Sequence, residues 1–572
     1  MVRNRQTHSV IGAEELQQPS VANGADVRTM RAAGNELATQ LGWLPGASSD
    51  TFSLRCRKAA TTFKLLFARV ETAFEKAPGS EGLLWLRNNA QQLSSQMRAV
   101  EADLGPLTGI PHVSSKDEIL PRVLAVAQAF FDETGVTFLE AKFTEFCLGF
   151  EETAPLEFHE VGSLVPALKL VLLEKIAARG RSLLDDPTIS PPEPITTFIR
   201  TLENVSQTSW KDVLERLIPF DTILRKDPAG AFAAMDVESR NVYREKVAKI
   251  AQRSDRNEIE VAQEALDLAR QAHSRAFADA RIQLRESHIG YYLVGEGANL
   301  LRQRVGSRPK FGERLRIFLR QHPDEFLVLG TVALTFVITT GAVWLLTAAS
   351  TPLLLVLLSM LVLLLPGSQA AVQVMNYLTT NLLAVNSLSK LDFSEGIPDD
   401  CATLVAIPTL LLNETQVHSL VEKLEVRYLG NHDHNLHFAL VSDLPDSPKP
   451  APEANALVDL CKKLIDDLNE RYSGENMGSF FLLHRHRVYN PRERGWMGWE
   501  RKRGKLLDLN RLMRGEYDSF PVKVGDLSIL AKVRFVITLD SDTELPRGSA
   551  HRMVGAIAHP LNQAIIDPVK NV

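Results

Sequence analysis

The segment RFVITLDSDTELP (residues 534–546) sets the apolar or β-branched run Phe535, Val536, Ile537, Thr538 and Leu539 directly before two carboxylates, Asp540 and Asp542. A short run of this kind, β-branched at its centre, reads as a buried parallel strand with the acids just past its end. Similar runs occur upstream at TLVAIPTL (403–410), LHFALV (436–441) and FFLL (480–483). Helical patterns separate them at 414–428, 453–471 and 505–513. Strand and helix alternating at this interval imply an open α/β sheet with helices on both faces. In such sheets ligands bind at the carboxyl ends of the strands.

The texture changes sharply before residue 390. No charged side chain occurs between Phe326 and Ser389, a run long enough for two spans of about 20 residues each. Residues 326–349 and 352–374 are expected to cross a membrane as a helical hairpin, turning at Ser350, Thr351 and Pro352. A stretch such as LLLVLLSMLVLLL is apolar on every side, with no face to show to water. Asn376, Asn381 and Asn386 among leucines suggest an interfacial helix over 376–389. Seven cations from Arg302 to Arg320 precede the hairpin, with Glu313 as the one acid among them. The positive-inside rule puts that flank, and everything after about Lys390, in the cytoplasm. A face on anionic lipid agrees with the same placement.

Residues 1–48 read as a polar, flexible lead, and 49–320 as a helical cytosolic region in which strand signals are scarce. Pro187, Pro191, Pro192 and Pro194 break the helical pattern and mark a loop. The α/β domain is placed at 400–572. A length of 572 residues fits roughly three or four domains. A net charge of −5 with 23% charged residues gives no basic field, so nucleic acid is not an expected partner. Cys56, Cys147, Cys401 and Cys461 lie far apart without a CxxC pair, against a zinc site or a disulfide framework. No apolar stretch follows the first arginines, so a cleaved signal is not expected.

Several strand ends carry groups that packing does not require. Asp540 and Asp542 are suited to share Mg²⁺ or Mn²⁺, which prefer oxygen ligands and bridge carboxylates to nucleotide phosphates. An ordinary turn or helix cap is the plainer account of such a pair. Asp443, in VSDLPD (441–446), is placed to accept hydrogen bonds from a base or ribose, with an Asp-Pro turn as the alternative. Pro408 and Thr409 end the first strand, and Asn413 and Glu414 open the next helix, an edge that suits a nucleotide. The most basic stretch holds His484, Arg485, His486, Arg487, Arg492 and Arg494, followed by WERKRGK (499–505). Cations beside glycine can approach a diphosphate closely. A solvated basic face is the alternative, and two histidines without a third ligand are not read as a metal site.

The motifs together carry a resemblance. Ile407-Pro408-Thr409, Asp443, Lys502-Arg503-Gly504 and Asp540-Ser541-Asp542 resemble the pattern of inverting nucleotide-sugar transferases of the GT-A fold. GWMGWERKRGKL (495–506) and FVITLDSDTELP (535–546) are similar to the cyclic β-1,2-glucan synthases, as are DPAGAFAAMD (227–236) with Arg240 and Tyr243, and HIGYYLVGE (288–296). The likeness covers most of the chain beyond about residue 80. It implies a Rossmann-like GT-A glycosyltransferase domain at a bacterial inner membrane, multi-pass, with UDP-glucose as donor and a growing β-glucan as acceptor. It also implies that Asp540 and Asp542 hold Mg²⁺ or Mn²⁺ and the diphosphate. Asp443 would hold the uridine, and Lys502, Arg503 and Lys505 the phosphates. The family's general base, acceptor motif, later spans and large C-terminal domain are expected beyond Val572, as parts of a larger enzyme. The alternatives are a catalytically incomplete membrane scaffold and a processive β-glucan synthase of another linkage.

Overall fold

A computed structural model describes residues 24–44, 51–104, 110–115, 118–187, 194–277, 279–308, 311–347, 351–383, 387–449, 455–474 and 479–565. The chain divides into two compact units, Met1–Ile223 and Leu224–Val572. The division falls inside the stretch read from sequence as one helical region.

In the first unit the helix Phe158–Asp185 runs through the core, with Leu164, Leu168 and Leu172 fully buried. Helices Thr51–Lys76, Ala90–Leu104, Arg122–Thr134 and Ile195–Gln207 pack around it. Two expectations change here. The proposed flexible lead contains a helix, Gly24–Gln40, followed by strand β1, Gly42–Leu44, while residues 1–23 and 45–48 lie outside the described residues. β1 joins β2 (His112–Ser115) and β3 (Glu118–Pro121) in a small antiparallel sheet, strands too short for their alternation to be visible in sequence. Its glycine serves packing against a partner helix. A Cβ on Gly34 would sit 2.0 Å from the Phe146 carbonyl oxygen, and one on Gly149 would sit 2.0 Å from that of Arg31. Paired glycines let helices Gly24–Gln40 and Glu140–Glu151 touch backbone to backbone. Glycine that looks like flexibility in sequence is close packing here.

The second unit begins with short helices whose buried polar groups are connected in series. Asp227 accepts from His288 Nδ1 at 2.7 Å and from the backbone N–H groups of Ile289, Ala231 and Phe232. His288 Nε2 lies 3.0 Å from the Tyr243 hydroxyl. A Cβ on Gly290 would stand 2.1 Å from that hydroxyl, which explains the glycine in HIGYY.

Two long apolar helices follow, Pro323–Leu346 and Leu353–Leu382. Both are long and apolar enough to cross a membrane. They pack through small contacts, Gly367 against Thr339 and Gly330 against Met375, as helices do where lipid supplies no hydrophobic drive between them. Outward residues such as Trp344 and Leu365 are 77% and 76% exposed, an apolar surface far larger than water tolerates. The separate interfacial helix expected over 376–389 is not formed: Asn376 and Asn381 belong to the end of the second long helix, which continues unbroken through Pro366. Residues 384–386, with Asn386, lie outside the described residues.

The α/β part contains β4 (Thr403–Leu410), β5 (Leu436–Asp443), β6 (Phe480–His484), β7 (Val488–Asn490), β8 (Gly495–Met497), β9 (Val522–Val524) and β10 (Phe535–Thr538). The main sheet has the order β10-β4-β5-β6-β9, parallel except for β9. One face, with Val405, Ile407, Phe438 and Leu482, packs on helices Glu414–Gly430, Ala456–Arg471 and Ser549–Ala558. The other, with Leu404, Ala439, Val441 and Leu483, meets helix Arg501–Met513 and Phe520. Helices cover both faces, as the alternating pattern predicts. β10 departs from expectation. It is an edge strand, with Val536 and Thr538 exposed, rather than a buried one.

Gly149→Val forces the two touching helices of the first unit apart. The expected cost is about 1–3 kcal/mol, read as a lower melting temperature and faster hydrogen exchange over residues 24–40. Unchanged exchange there would refute the close-crossing account.

Candidate functional site

Parallel register fixes which residues leave the sheet together. Thr538 pairs with Ala406, Thr409 with Ser442, and Ser442 with His484. The carboxyl edge therefore presents, strand by strand, Asp540, Thr409, Asp443 and the pair His484 and Arg485. Helix Arg501–Met513 supplies Lys502 and Lys505 to this group, three residues apart and hence on one helix face.

Asp443 is 2% exposed. Its Oδ1 accepts from Arg485 Nε at 3.1 Å and its Oδ2 from Arg485 Nη2 at 3.0 Å, a bidentate fork. Lys505 Nζ stands 3.4 Å from the same carboxylate and donates to the Thr409 carbonyl at 2.5 Å. Arg485 Nη1 continues to Asp508 at 3.1 Å. Burial pushes the Lys505 ammonium below its ordinary pKa, while Asp443 pulls the other way. Two glycines permit this density. A Cβ on Gly498 would lie 2.3 Å from Asp443 Oδ2, and one on Gly504 would lie 1.9 Å from the Trp499 carbonyl oxygen.

Asp540 forms an ion pair with Lys502, both side chains more than half exposed. Asp542 is exposed in the turn that follows. The turn is held from beneath by Arg427, which donates to the carbonyls of Ser541 at 2.9 Å and Thr543 at 3.0 Å. Among the described residues no cluster of three or more His, Cys, Asp or Glu side chains could hold a metal ion.

The structure thus brings together Thr409, Asp443 and Lys505, and separately Lys502 with Asp540. Pro408 is buried within β4. Glu414 is an exposed first residue of its helix, which Asn413 caps. Arg503 does not join the group: it pairs with Glu500 at 3.0 Å and is 82% exposed. Arg485 and Asp508, which lock Asp443, and Arg427, which holds the Asp542 turn, were not singled out by sequence. Arg485 stood only as one cation in a basic run. His484 hydrogen-bonds through Nδ1 to the Ser442 hydroxyl at 2.9 Å, and burial pushes its pKa down to about 4. It is a neutral part of the strand end.

No protein-family model matches the chain. The chain is related to the cyclic beta-(1,2)-glucan synthase NdvB of Rhizobium meliloti (strain 1021), 28% identical over 94% of this chain. It spans 22% of the length of that relative. The two apolar helices support membrane association.

Two outcomes follow from the buried charges. Arg485→Gln leaves Asp443 with Lys505 alone, and breaking a buried pair this way costs about 3–5 kcal/mol, measurable by urea denaturation; a loss below about 1 kcal/mol would rule the fork out as a structural element. His484, neutral when folded and ordinarily titrating at 6.5, binds a proton more readily when unfolded. Stability from this group is therefore complete above about pH 6.5 and lost as pH falls toward 4. His484→Gln should flatten that acid limb by about one proton, and an unchanged limb would contradict the assignment.

Proposed function

We propose that residues 400–565 bind a nucleotide sugar at the carboxyl edge of the sheet, as part of a membrane-bound glucosyltransferase. The donor is UDP-glucose, and glucose is transferred with inversion to a growing β-1,2-glucan. What carries the reading is the convergence of Thr409, Asp443, Lys502, Lys505 and Asp540, from four separate chain segments, on one sheet edge. Similarity to a cyclic β-1,2-glucan synthase supports the glucan product and its linkage.

The chemistry of the residues fits a divalent cation. Asp540 and Asp542 offer carboxylate oxygen and no soft ligand, and with at most two protein donors a Mg²⁺ or Mn²⁺ ion would complete its shell with water and phosphate oxygens. Such an ion supplies charge neutralisation at the diphosphate as the sugar departs. Asp540 already carries a positive partner in Lys502, whose exposed ammonium is free to turn to a diphosphate. Lys505 contributes a fixed positive charge between Thr409 and Asp443. Arg503, turned toward Glu500, is left out of this proposal. The basic flank at 302–320 and the hairpin are read as placing this edge on the cytoplasmic side.

Calorimetry on the purified chain in detergent tests the reading. UDP-glucose is expected to bind in the presence of Mn²⁺, and Asp542→Ala to abolish that binding. Full-strength binding by the variant would sink the assignment of the acid pair.

A further inference from the structure

On another face of helix Arg501–Met513 from Lys502 and Lys505, a cavity of about 1060 Å³ opens. Its walls are that helix, the β7–β8 hairpin and the segment from Tyr517 to Ser519. Five arginines and three acids line it. Arg485 is taken up by Asp443 and Asp508, and Arg503 by Glu500. That leaves Arg492, Arg501 and Arg511. Arg501 touches Asp446 at 3.3 Å from a side chain 81% exposed, and Arg511 reaches Asp508 only at 3.8 Å. Exposed pairs of this kind are weakly held and exchange readily for another anion.

The cavity also has flat apolar surfaces and a free polar atom. Tyr489, Trp499 and Tyr517 line it, each between 41% and 49% exposed. Ser519, 2% exposed, has a hydroxyl with no hydrogen-bond partner. Its carbonyl accepts from His486 Nδ1 at 2.8 Å, which ties the His486 ring to the wall. Glu500 and Arg501 both hold left-handed backbone, φ 46° and 45°, uncommon for residues that carry a side chain.

We propose that this cavity is a second ligand site, for a nucleoside phosphate, separate from the acid pair at the sheet edge. Arginine forks answer the phosphate, and the aromatic rings offer faces on which a base stacks. A neutral glycan would leave Arg492 unanswered and Arg501 and Arg511 with only their weakly held acids, and a bare phosphate would leave the aromatic faces uncovered. The volume matches a ligand of nucleotide size. Arg485 is the shared wall: its Nη1 holds Asp508, which lines the cavity, while Nε and Nη2 hold Asp443. An anion drawing on Arg485, or pulling Arg511 away from Asp508, therefore acts on the Asp443 group, so the site is suited to modulate donor affinity. That consequence rests on the proposed donor reading; the binding itself does not.

The experiment uses the full chain in detergent with EDTA, titrated calorimetrically with ADP and separately with inorganic phosphate. ADP is expected to bind without metal, at least about tenfold tighter than phosphate, and equally well in Asp542→Ala. Trp499→Ala and Arg511→Gln should each weaken ADP by about fivefold or more with an unchanged melting temperature. Tyr489→Ala, on the exposed hairpin, replaces either variant that fails to fold. Equal affinity for ADP and phosphate would reduce the cavity to an adventitious ion site only. Loss of ADP binding in Asp542→Ala would assign the nucleotide to the sheet edge instead, and indifference to all cavity variants would equally overturn the proposal. Mn²⁺-dependent UDP-glucose binding, measured in parallel, fails or succeeds independently.

Discussion

The carboxylate of Asp443 lies at the end of a fully buried strand, where an unpaired charge would cost several kcal/mol. The surrounding structure follows from meeting that cost. A planar fork is required, and Arg485 supplies it from the next strand end. The fork has donors left over, so Asp508 must come from helix Arg501–Met513, which fixes how that helix sits against the sheet. The helix then approaches so closely that residues 498 and 504 can only be glycine. With its position set, Lys505 falls between Thr409 and Asp443, and Lys502 falls beside Asp540. A single buried charge thus orders residues spread over more than 130 positions of sequence.

A second constraint fixes the segment that leads into the sheet after the apolar helices. The segment after the hairpin is hydrogen-bonded on both sides: Leu391 N to Gly555 O at 3.0 Å, Asp392 N to Ala234 O at 2.8 Å, and Asp236 N to Lys390 O at 3.1 Å. Lys390 adds ion pairs to Asp236 and Glu238. Behind it stands the series Asp227, His288 and Tyr243, and Ser389 hydrogen-bonds to Tyr243. Burial alone would raise the Asp227 pKa, but His288 and the backbone donors bring it below the ordinary value, so it stays charged. His559, packed edge-on against His288 at 5.0 Å, is pushed by burial down to about 3 and stays neutral. The motifs DPAGAFAAMD and HIGYY, far apart in sequence, meet here and clamp the exit from the hairpin.

What sequence reveals and what it hides divide along physical lines. The strands β4, β5 and β6 were legible because buried parallel strands are continuous apolar runs, and the long helices because a charge-free run of such length has one stable environment. The helix Gly24–Gln40 was not legible: Gly34 answers to a partner more than a hundred residues away. The edge position of β10 was hidden because sheet order is not a local property. In the site, the acids at strand ends could be picked out by position. Their partners could not, since nothing in the spacing of Arg427 or Asp508 foretells that one holds the turn after Asp540 and the other completes the fork on Asp443. Arg503, picked out by its place in the KRG motif, points elsewhere because a helix sends adjacent residues to different faces.

The two lysines on helix Arg501–Met513 have opposite energetics, and that difference bears on what each can do. Lys505 is buried with Asp443 and a carbonyl, where separation would strand charges in a dry environment, so it behaves as a permanent part of the edge. Lys502 and Asp540 are more than half exposed, and an exposed pair is worth no more than about 1 kcal/mol. Water replaces that contact at little cost, and so would a cation on Asp540 or an anion on Lys502. An edge that binds and releases a charged ligand needs both kinds: a fixed charge that sets the geometry, and a weakly held pair that opens without disturbing it. Exchanging the roles would fail on either side, since a labile Lys505 would release the Asp443 fork and a buried Lys502 would keep Asp540 occupied.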